Sequence, residues 1–431
     1  MEYITHLTAR FVEMLPELAA EFPGEVEATD LVEVEQAVQE LGRTLGRAVI
    51  QQVLESGPEE KYPERERTCP HCGGQARYVQ GVTITLQGRV RYRRAYYQCE
   101  TCHRGHYPRD EALQIRPGQM SEMVLQVAGR VGSGGAFERG SELLAELVGL
   151  ELSPNSVRKA CRVLGERVIA CEEAVSIESQ DLERQRERRR MEAPERMYLA
   201  MDGFMAPFRD GWHEVKCLVW WEEDAEGRVV KRHYVADTAS AEEFSDLVWA
   251  SGFGQLADQA RELVVLSDGA AWIENIVRQH FPHAVSIVDW YHARSYLFPV
   301  AEAAFPDAAE REAWLERTTQ ALWHGHVQQV IEACRTWVRP ELPPDKDPAQ
   351  RAVTYFTNQA HRMDYPTYRQ RGYPMGSGMV ESLCKRLGKG RLALAGARWH
   401  VDRATARSVL KVRAAHLSKR TDLLQPYRQI A

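Results

Sequence analysis

Residues 196–203 read Arg-Met-Tyr-Leu-Ala-Met-Asp-Gly, 263–269 read Leu-Val-Val-Leu-Ser-Asp-Gly, and 284–289 read Ala-Val-Ser-Ile-Val-Asp. Each is a short apolar run closed by an aspartate, the pattern of a buried strand that surfaces at a turn. Two more runs, Glu214–Trp221 and Val229–Ala236, are joined by the turn sequence EEDAEGR, so the first three runs predict an antiparallel meander. Helical stretches follow at Ala241–Ser251 and around Trp272, Ile273, Ile276 and Val277. Across 197–290 the element order is therefore βββαβαβ.

That order is the one of an RNase H-like domain, in which the first and fourth strands are central neighbours. Asp202 and Asp268 would then face each other. Two carboxylates held so close repel unless cations are present. Their use there is to bind two Mg²⁺ (or Mn²⁺) ions about 3.5–4 Å apart, one activating an attacking oxygen and one stabilising the leaving oxygen of a phosphodiester. Gly376-Ser-Gly-Met-Val-Glu381 offers a third acid: the glycines give a flexible entry, and a helix over ESLCKRLGKGRLA would put Glu381, Lys385 and Gly388 on one face. A single aspartate at a strand end is usually a cap or turn residue; the combination is what points to a site. Residues 291–370 are helix-like, so an all-helical insertion is expected before the second part of the core at 371–431. Its tryptophans, Trp314, Trp323 and Trp337, read as core residues in preference to base-stacking ones.

Outward from this core, the net charge of −6 over 431 residues conceals a strong asymmetry. Residues 1–60 carry 3 arginines against 13 carboxylates, 61–120 carry 11 basic residues against 5 acids, and 381–431 carry 12 against 3. Two basic blocks inside an acidic average fit a polyanion such as double-stranded DNA, because binding depends on the local field. In the last block Lys385, Arg386, Lys389, Arg391 and Arg398 are candidate phosphate contacts. Trp399 either stacks on an unpaired base or closes the core. No run reaches the ~18 apolar residues of a membrane helix, and the start MEYITHLTAR lacks the basic region of a signal peptide. A cytoplasmic protein without a membrane partner is expected.

The nine cysteines divide into two sets. Cys161, Cys171, Cys217, Cys334 and Cys384 stand singly among apolar or helical neighbours and read as buried thiols. Cys69-Pro-His-Cys72 and Cys99-Glu-Thr-Cys102 form two CxxC knuckles, and the alternating stretch between them predicts a hairpin around Gln87-Gly88. One structural Zn²⁺ held by these four thiolates would make 61–118 a zinc ribbon, with His71, His103 and His106 near enough to substitute. Ahead of it, residues 1–60 read as helical, with Leu31, Val34, Ala37, Val38, Leu41, Leu45 and Val49 at three- and four-residue steps. Behind it, 119–180 reads as a helix-turn-helix. A helix over Glu138–Val148 is followed by a turn, and Ser153-Pro154 then starts a second helix whose exposed Asn155, Ser156, Arg158 and Lys159 suit phosphates and base edges. The charge-mixed 181–196 is a solvated linker helix.

Taken together, CPHC, CETC, LSPNSV, MDG, LSDG, VDWYH, GSGMVES and GARWH resemble the DDE transposases of bacterial insertion sequences, closest to the ISKra type. The resemblance covers most of the chain. It implies that Asp202, Asp268 and Glu381 are a catalytic triad binding divalent ions. It also implies that Asp289 and His292, a D-x-x-H signature, support the strand cut. The implied activity is metal-dependent cleavage and strand transfer at terminal inverted repeats by a homodimer or larger assembly on DNA. Two other readings remain at this level: a catalytically silent DNA-binding regulator, and a metal-dependent nuclease without strand transfer.

Overall fold

The computed structural model describes residues 31–56, 72–73, 79–85, 87–94, 97–106, 120–376, 378–379, 384–420 and 422, with short pieces at 8–9, 12–13 and 15–16. Cys69 and Glu381 lie outside the described residues. The chain is a mixed α/β protein that divides into two compact units, 1–164 with 425–431, and 165–424. Among the described residues no helix is long and apolar enough to cross a membrane.

In the first unit, helix α1 (Leu31–Ser56) packs beside the hairpin of β1 (Val79–Thr85) and β2 (Gly88–Arg94). The hairpin turns where the sequence places it, with Thr85 paired to Gly88 and Gly88 at φ 113°, a conformation that suits glycine. Gln51 Oε1 accepts the Arg91 amide at 3.0 Å, fixing the helix to the hairpin. Toward the start of α1, Leu31, Val34, Val38 and Leu41 are exposed, whereas Leu45 is buried. A small ladder follows, β3 (Tyr97–Gln98) against β4 (Gly105–His106).

Three helices complete this unit: α2 (Glu122–Gly134), α3 (Phe137–Leu143, prolonged by a π-helical turn Leu144–Val148) and α4 (Pro154–Gln180). Gly149, at φ 64°, ends the second of them. The close crossing of α2 and α4 depends on small residues. A Cβ at Gly129 would stand 2.5 Å from Leu164 Cδ1, and one at Gly132 would stand 2.7 Å from Val157 Cγ1. Ser153 caps α4 as its sequence predicts, its Oγ accepting the Ser156 amide at 3.2 Å. Helix α4 is far longer than a short second helix, and the division between the two compact units falls inside it, after Leu164. Helix α5 (Leu182–Arg188) is mostly exposed and is held at its last residue, where Arg188 lies over the Phe253 ring at 3.4 Å and pairs with Asp258 at 3.0 Å.

The second unit is built on a five-stranded mixed sheet in the order β7-β6-β5-β8-β9. Its strands are β5 (Arg196–Phe208), β6 (Gly211–Glu223), β7 (Val229–Asp237), β8 (Glu262–Ser267) and β9 (Val285–Val288). The first three are antiparallel neighbours, while β5–β8 and β8–β9 are parallel. Helices α6 (Ala241–Gly254) and α7 (Ala271–His280) connect them. Alternate residues Met197, Leu199 and Met201 share a buried cluster with Trp220, Phe244, Val248, Val265 and Ile276, which places both helices on one face. Strand β5 does not end at Asp202, as its apolar run suggests. It leaves β8 after Ala200 but continues to Phe208 paired with β6, because Gly203 through Phe208 still match Gly211–Lys216 across a tight turn.

After β9, residues 290–370 are helical: α8 (Trp290–Ser295), α9 (Leu297–Ala304), α10 (Ala308–Trp323), α11 (Val327–Arg335), α12 (Pro348–Gln359) and α13 (Tyr365–Gln370). Its tryptophans sit in aromatic contacts: Trp314 and Trp337 against Phe305, and Trp323 edge-on to Trp290 at 5.2 Å. The chain then returns through a π-helical turn, Cys384–Lys389, and ends the described part in α14 (Ala404–Leu417). Helix α14 is anchored by an ion cluster in which fully buried Lys411 meets Glu172 at 2.6 Å and Asp237 at 2.8 Å, with Arg407 on Asp237 at 2.9 Å.

Candidate active site

Parallel pairing sets the centre of the site. Ala200 of β5 is in register with Leu266 of β8, so Asp202 and Asp268, each two residues further along, lie just beyond the point where the β5–β8 pairing ends. The two carboxyl groups interact electrostatically. Burial pushes the Asp202 carboxyl above its usual range, and the like charge of Asp268 adds to this. A hydrogen bond from Cys384, the Gly203 amide and the Lys389 cation work in the opposite direction.

Asp268 is held by its own turn and by the helical region. Its Oδ1 accepts the Ala270 amide at 2.8 Å, and the intervening Gly269 has φ 96°. From α12, the Tyr355 hydroxyl donates to the Asp268 carbonyl at 2.9 Å and Gln359 Nε2 donates to the Gly269 carbonyl at 3.1 Å. Tyr355 stacks on Tyr296 at 3.9 Å, with His292 beside both rings. Burial and then the stacked Tyr296 raise the Tyr355 phenol, with Asp268 adding to the shift, so it stays a neutral donor.

Asp289 follows β9 at the same end. Its amide donates to the Ser267 carbonyl at 2.8 Å and its Oδ1 caps α8 by accepting the His292 amide at 2.9 Å. The residue is 2 % exposed, and its Oδ2 is buried with no hydrogen-bond partner. A lone buried carboxylate oxygen of this kind is costly unless a donor or cation meets it.

The segment carrying Glu381 is described on either side of that residue. A Cβ at Gly376 would stand 2.4 Å from the ring of Tyr291, two residues after Asp289. Cys384 is buried, and a Cβ at Gly388 would stand 1.8 Å from Phe204 Cζ. The expected single face differs in the structure. Residues 384–389 are π-helical, so the α-helical spacing does not apply; Lys385 is exposed while Gly388 is buried against β5.

The candidate phosphate contacts separate into two groups. Lys385, Arg386, Lys389 and Arg398 are exposed. Arg391, only 3 % exposed, lies over the Trp399 ring at 4.9 Å. Trp399 donates from Nε1 to the Leu392 carbonyl at 2.9 Å and bridges to Phe208, so both residues close the core at the end of β5 rather than facing a nucleic acid. In the first unit Asn155 and Lys159 are exposed and Ser156 and Arg158 half-buried, with Arg158 donating to Asn155 Oδ1 at 2.7 Å.

A separate cluster of three cysteines lies in the first unit. The thiols of Cys72, Cys99 and Cys102 fall within 4.8 Å of one another. Cys99 Sγ accepts the Thr101 and Cys102 amides at 3.3 and 3.2 Å, and these bonds together with Cys72, the largest influence, lower its thiol to about 6. Three sulfurs with amide donors form a possible metal cluster, and the chemistry of the set suits zinc.

Sequence reasoning did not single out Cys384, Tyr355 or Tyr296 as site residues. Cys384 has only apolar and basic neighbours in sequence, and the tyrosines lie in a helical stretch whose pattern says core; no motif marks any of them. With the fold and site described, the chain can be placed: it belongs to an uncharacterised protein family, UPF0236, whose sequence model matches residues 26–336. That stretch includes the cysteine cluster, Asp202, Asp268 and Asp289. A search of curated proteins finds no match.

Proposed function

We propose that the protein is a DNA transposase with an RNase H-like core, in which Asp202, Asp268 and Glu381 form a metal-binding triad. The observation that carries this reading is the placement of Asp202 and Asp268 side by side just beyond the β5–β8 parallel pairing in a sheet ordered β7-β6-β5-β8-β9. The donor chemistry supports it: carboxylate oxygens are hard ligands suited to Mg²⁺ or Mn²⁺, and Asp289 adds a buried oxygen without a partner. Two bound cations would supply activation of the attacking oxygen and neutralisation of the leaving one.

The chain's own residues would do the rest. Tyr355 and Gln359 fix the backbone that presents Asp268. Lys385, Arg386, Lys389 and Arg398 would hold the phosphates of the cut strand next to Asp202. Asn155, Ser156, Arg158 and Lys159, at the start of a helix-turn-helix second helix, would contact the terminal repeats together with a zinc ribbon closed by Cys69. Hydrolysis frees a 3′-hydroxyl, whose attack on a second duplex joins the ends, which calls for a homodimer or larger assembly.

The test is Mg²⁺- or Mn²⁺-dependent cleavage and joining of a labelled duplex bearing the element's terminal repeat, with Asp202→Ala and Glu381→Gln beside the wild type. Loss of both steps in the variants with DNA binding retained supports the triad. Undiminished cutting by either variant removes that residue from it, and cutting without joining makes the protein a nuclease.

A further inference from the structure

We infer that Arg362 is a positioning residue for the turn that carries Asp268, acting through the side-chain amide of Gln359; this rests on the metal-site reading above. Arg362 closes the 3₁₀ turn Ala360–Arg362 that follows α12. It is 2 % exposed, and its Nε and Nη1 are buried with no hydrogen-bond partner. A guanidinium held in this way costs stability that a packed apolar side chain would not. Its interactions are concentrated on Nη2, which donates to Gln359 Oε1 and, at 3.2 Å, to Glu274 Oε2.

The chemistry of this pair fixes the amide. A guanidinium only donates, so the oxygen of Gln359 must face it, and that turns Nε2 onto the Gly269 carbonyl at 3.1 Å. With the amide reversed, oxygen would meet oxygen at Gly269 and donor would meet donor at Arg362. Glycine admits the approach: a Cβ at Gly269 would stand 3.1 Å from Gln359 Cδ. On the other side, Glu274 lies in the first turn of α7, the helix that begins directly after Ala270. Arg362 therefore braces the Asp268–Gly269–Ala270 turn twice, through Gln359 onto its middle carbonyl and through Glu274 onto the helix it starts. Tyr355 on the Asp268 carbonyl and Asp268 Oδ1 on the Ala270 amide complete the set, so all three residues of the turn have a backbone group held. Such outer partners are what orient a residue that ligates a metal.

The test uses the full chain and two readouts: Mn²⁺ binding by electron paramagnetic resonance, and hydrogen–deuterium exchange of the amides at 268–272, with thermal stability recorded alongside. The variants are Arg362→Met, Gln359→Met, the two combined, and Asp268→Asn. Arg362→Met is expected to weaken Mn²⁺ about tenfold, the low end of what loss of an outer ligand-orienting group costs. Its 268–272 amides are expected to exchange about fivefold faster, the factor that the net worth of one hydrogen bond gives. Gln359→Met should behave alike, and the combined variant should bind no more weakly than the weaker single one, because both act along one route. Wild-type affinity in Arg362→Met, with Asp268→Asn defective, overturns the Arg362 role alone. Losses that add in the combined variant also overturn it, since Arg362 would then act without Gln359. Unchanged exchange in Arg362→Met overturns the brace whatever the metal does, and wild-type affinity in Asp268→Asn overturns the metal site and this role together. Should Arg362→Met fail to fold, Gln359→Glu replaces it: the carboxylate keeps the Arg362 pair but presents an oxygen to the Gly269 carbonyl. Weakened Mn²⁺ there supports the relay, and wild-type affinity overturns it.

Discussion

The Tyr355 hydroxyl donates to the main-chain carbonyl of Asp268 at 2.9 Å across 87 residues of sequence, so the helical region after β9 grips the strand end that bears a candidate ligand. The phenol is mostly buried and stacked on Tyr296, which leaves the carbonyl little access to water if the donor is removed. Tyr355→Phe is therefore expected to cost about 1 kcal/mol in urea unfolding, the net worth of one hydrogen bond. It is also expected to loosen the Asp268 turn and weaken Mn²⁺ binding. An unchanged urea midpoint would mean that the carbonyl finds another donor.

Lys411 makes a second, sharper case, because it is fully buried between Glu172 and Asp237. Removing one partner of such a cluster leaves uncompensated buried charge. Lys411→Met is expected to cost about 3–5 kcal/mol at pH 7 by denaturant titration. Burial opposes the ammonium charge, but Glu172 and Asp237 outweigh it and the net shift is upward. A raised lysine contributes fully below its unfolded value of about 10.4, and the contribution is lost as pH rises through the higher folded value. The gap between wild type and variant should accordingly close in strongly alkaline solution; a gap that widens there would contradict the ion cluster.

At the acid side the decisive group is His233. Burial, then the nearby Arg420, Lys231 and Lys411 cations, lower its imidazole to about 4. In the unfolded chain it titrates near 6.5, so the unfolded state takes up the proton first. Stability is thus expected to fall as pH drops from about 6.5 to about 4, with no contribution from this group above 6.5. His233→Gln should flatten that part of the stability profile. An equal slope in wild type and variant, read by urea midpoints at half-unit pH steps, would show that the imidazole is free to protonate in the fold.

Strands and their terminal aspartates were legible because apolar runs closed by Asp-Gly carry a period and an end signal in a few neighbouring residues. Asp202, Asp268 and Asp289, and the helical character of 290–370, are therefore readable from the sequence alone. What escaped are relations that only tertiary contact creates. Arg391 belongs to a basic block and looks like surface, yet it is stacked on Trp399 inside the core. The α-helical spacing of Lys385 and Gly388 was undone by a π turn, which has no propensity signature. The continuation of β5 to Phe208 was hidden by Gly203, a residue that reads as a breaker until β6 pairs with it.

The cysteine cluster gives the last prediction and is independent of the carboxylates. Cys72, Cys99 and Cys102 present three sulfurs within 4.8 Å, and Cys99, with its thiol lowered to about 6, is the one readiest to bind as thiolate. The knuckle has preformed features: Cys99 donates its amide to the Arg104 carbonyl, its sulfur accepts two amides, and His103 takes φ 55° to turn the chain. One zinc per chain is expected by elemental mass spectrometry of protein purified without chelator. Cys99→Ser should lower that content well below one, and Cys69→Ser should do the same if the fourth ligand is the cysteine of the first knuckle. Full zinc in Cys69→Ser would pass the fourth position to a histidine, with His71, His103 and His106 as the variants to make next. Because a tetrahedral site contributes its binding energy to local folding, chelation should also expose the 72–106 segment to protease. Unchanged cleavage after complete zinc removal would show that the β1–β2 hairpin and α1 hold it unaided.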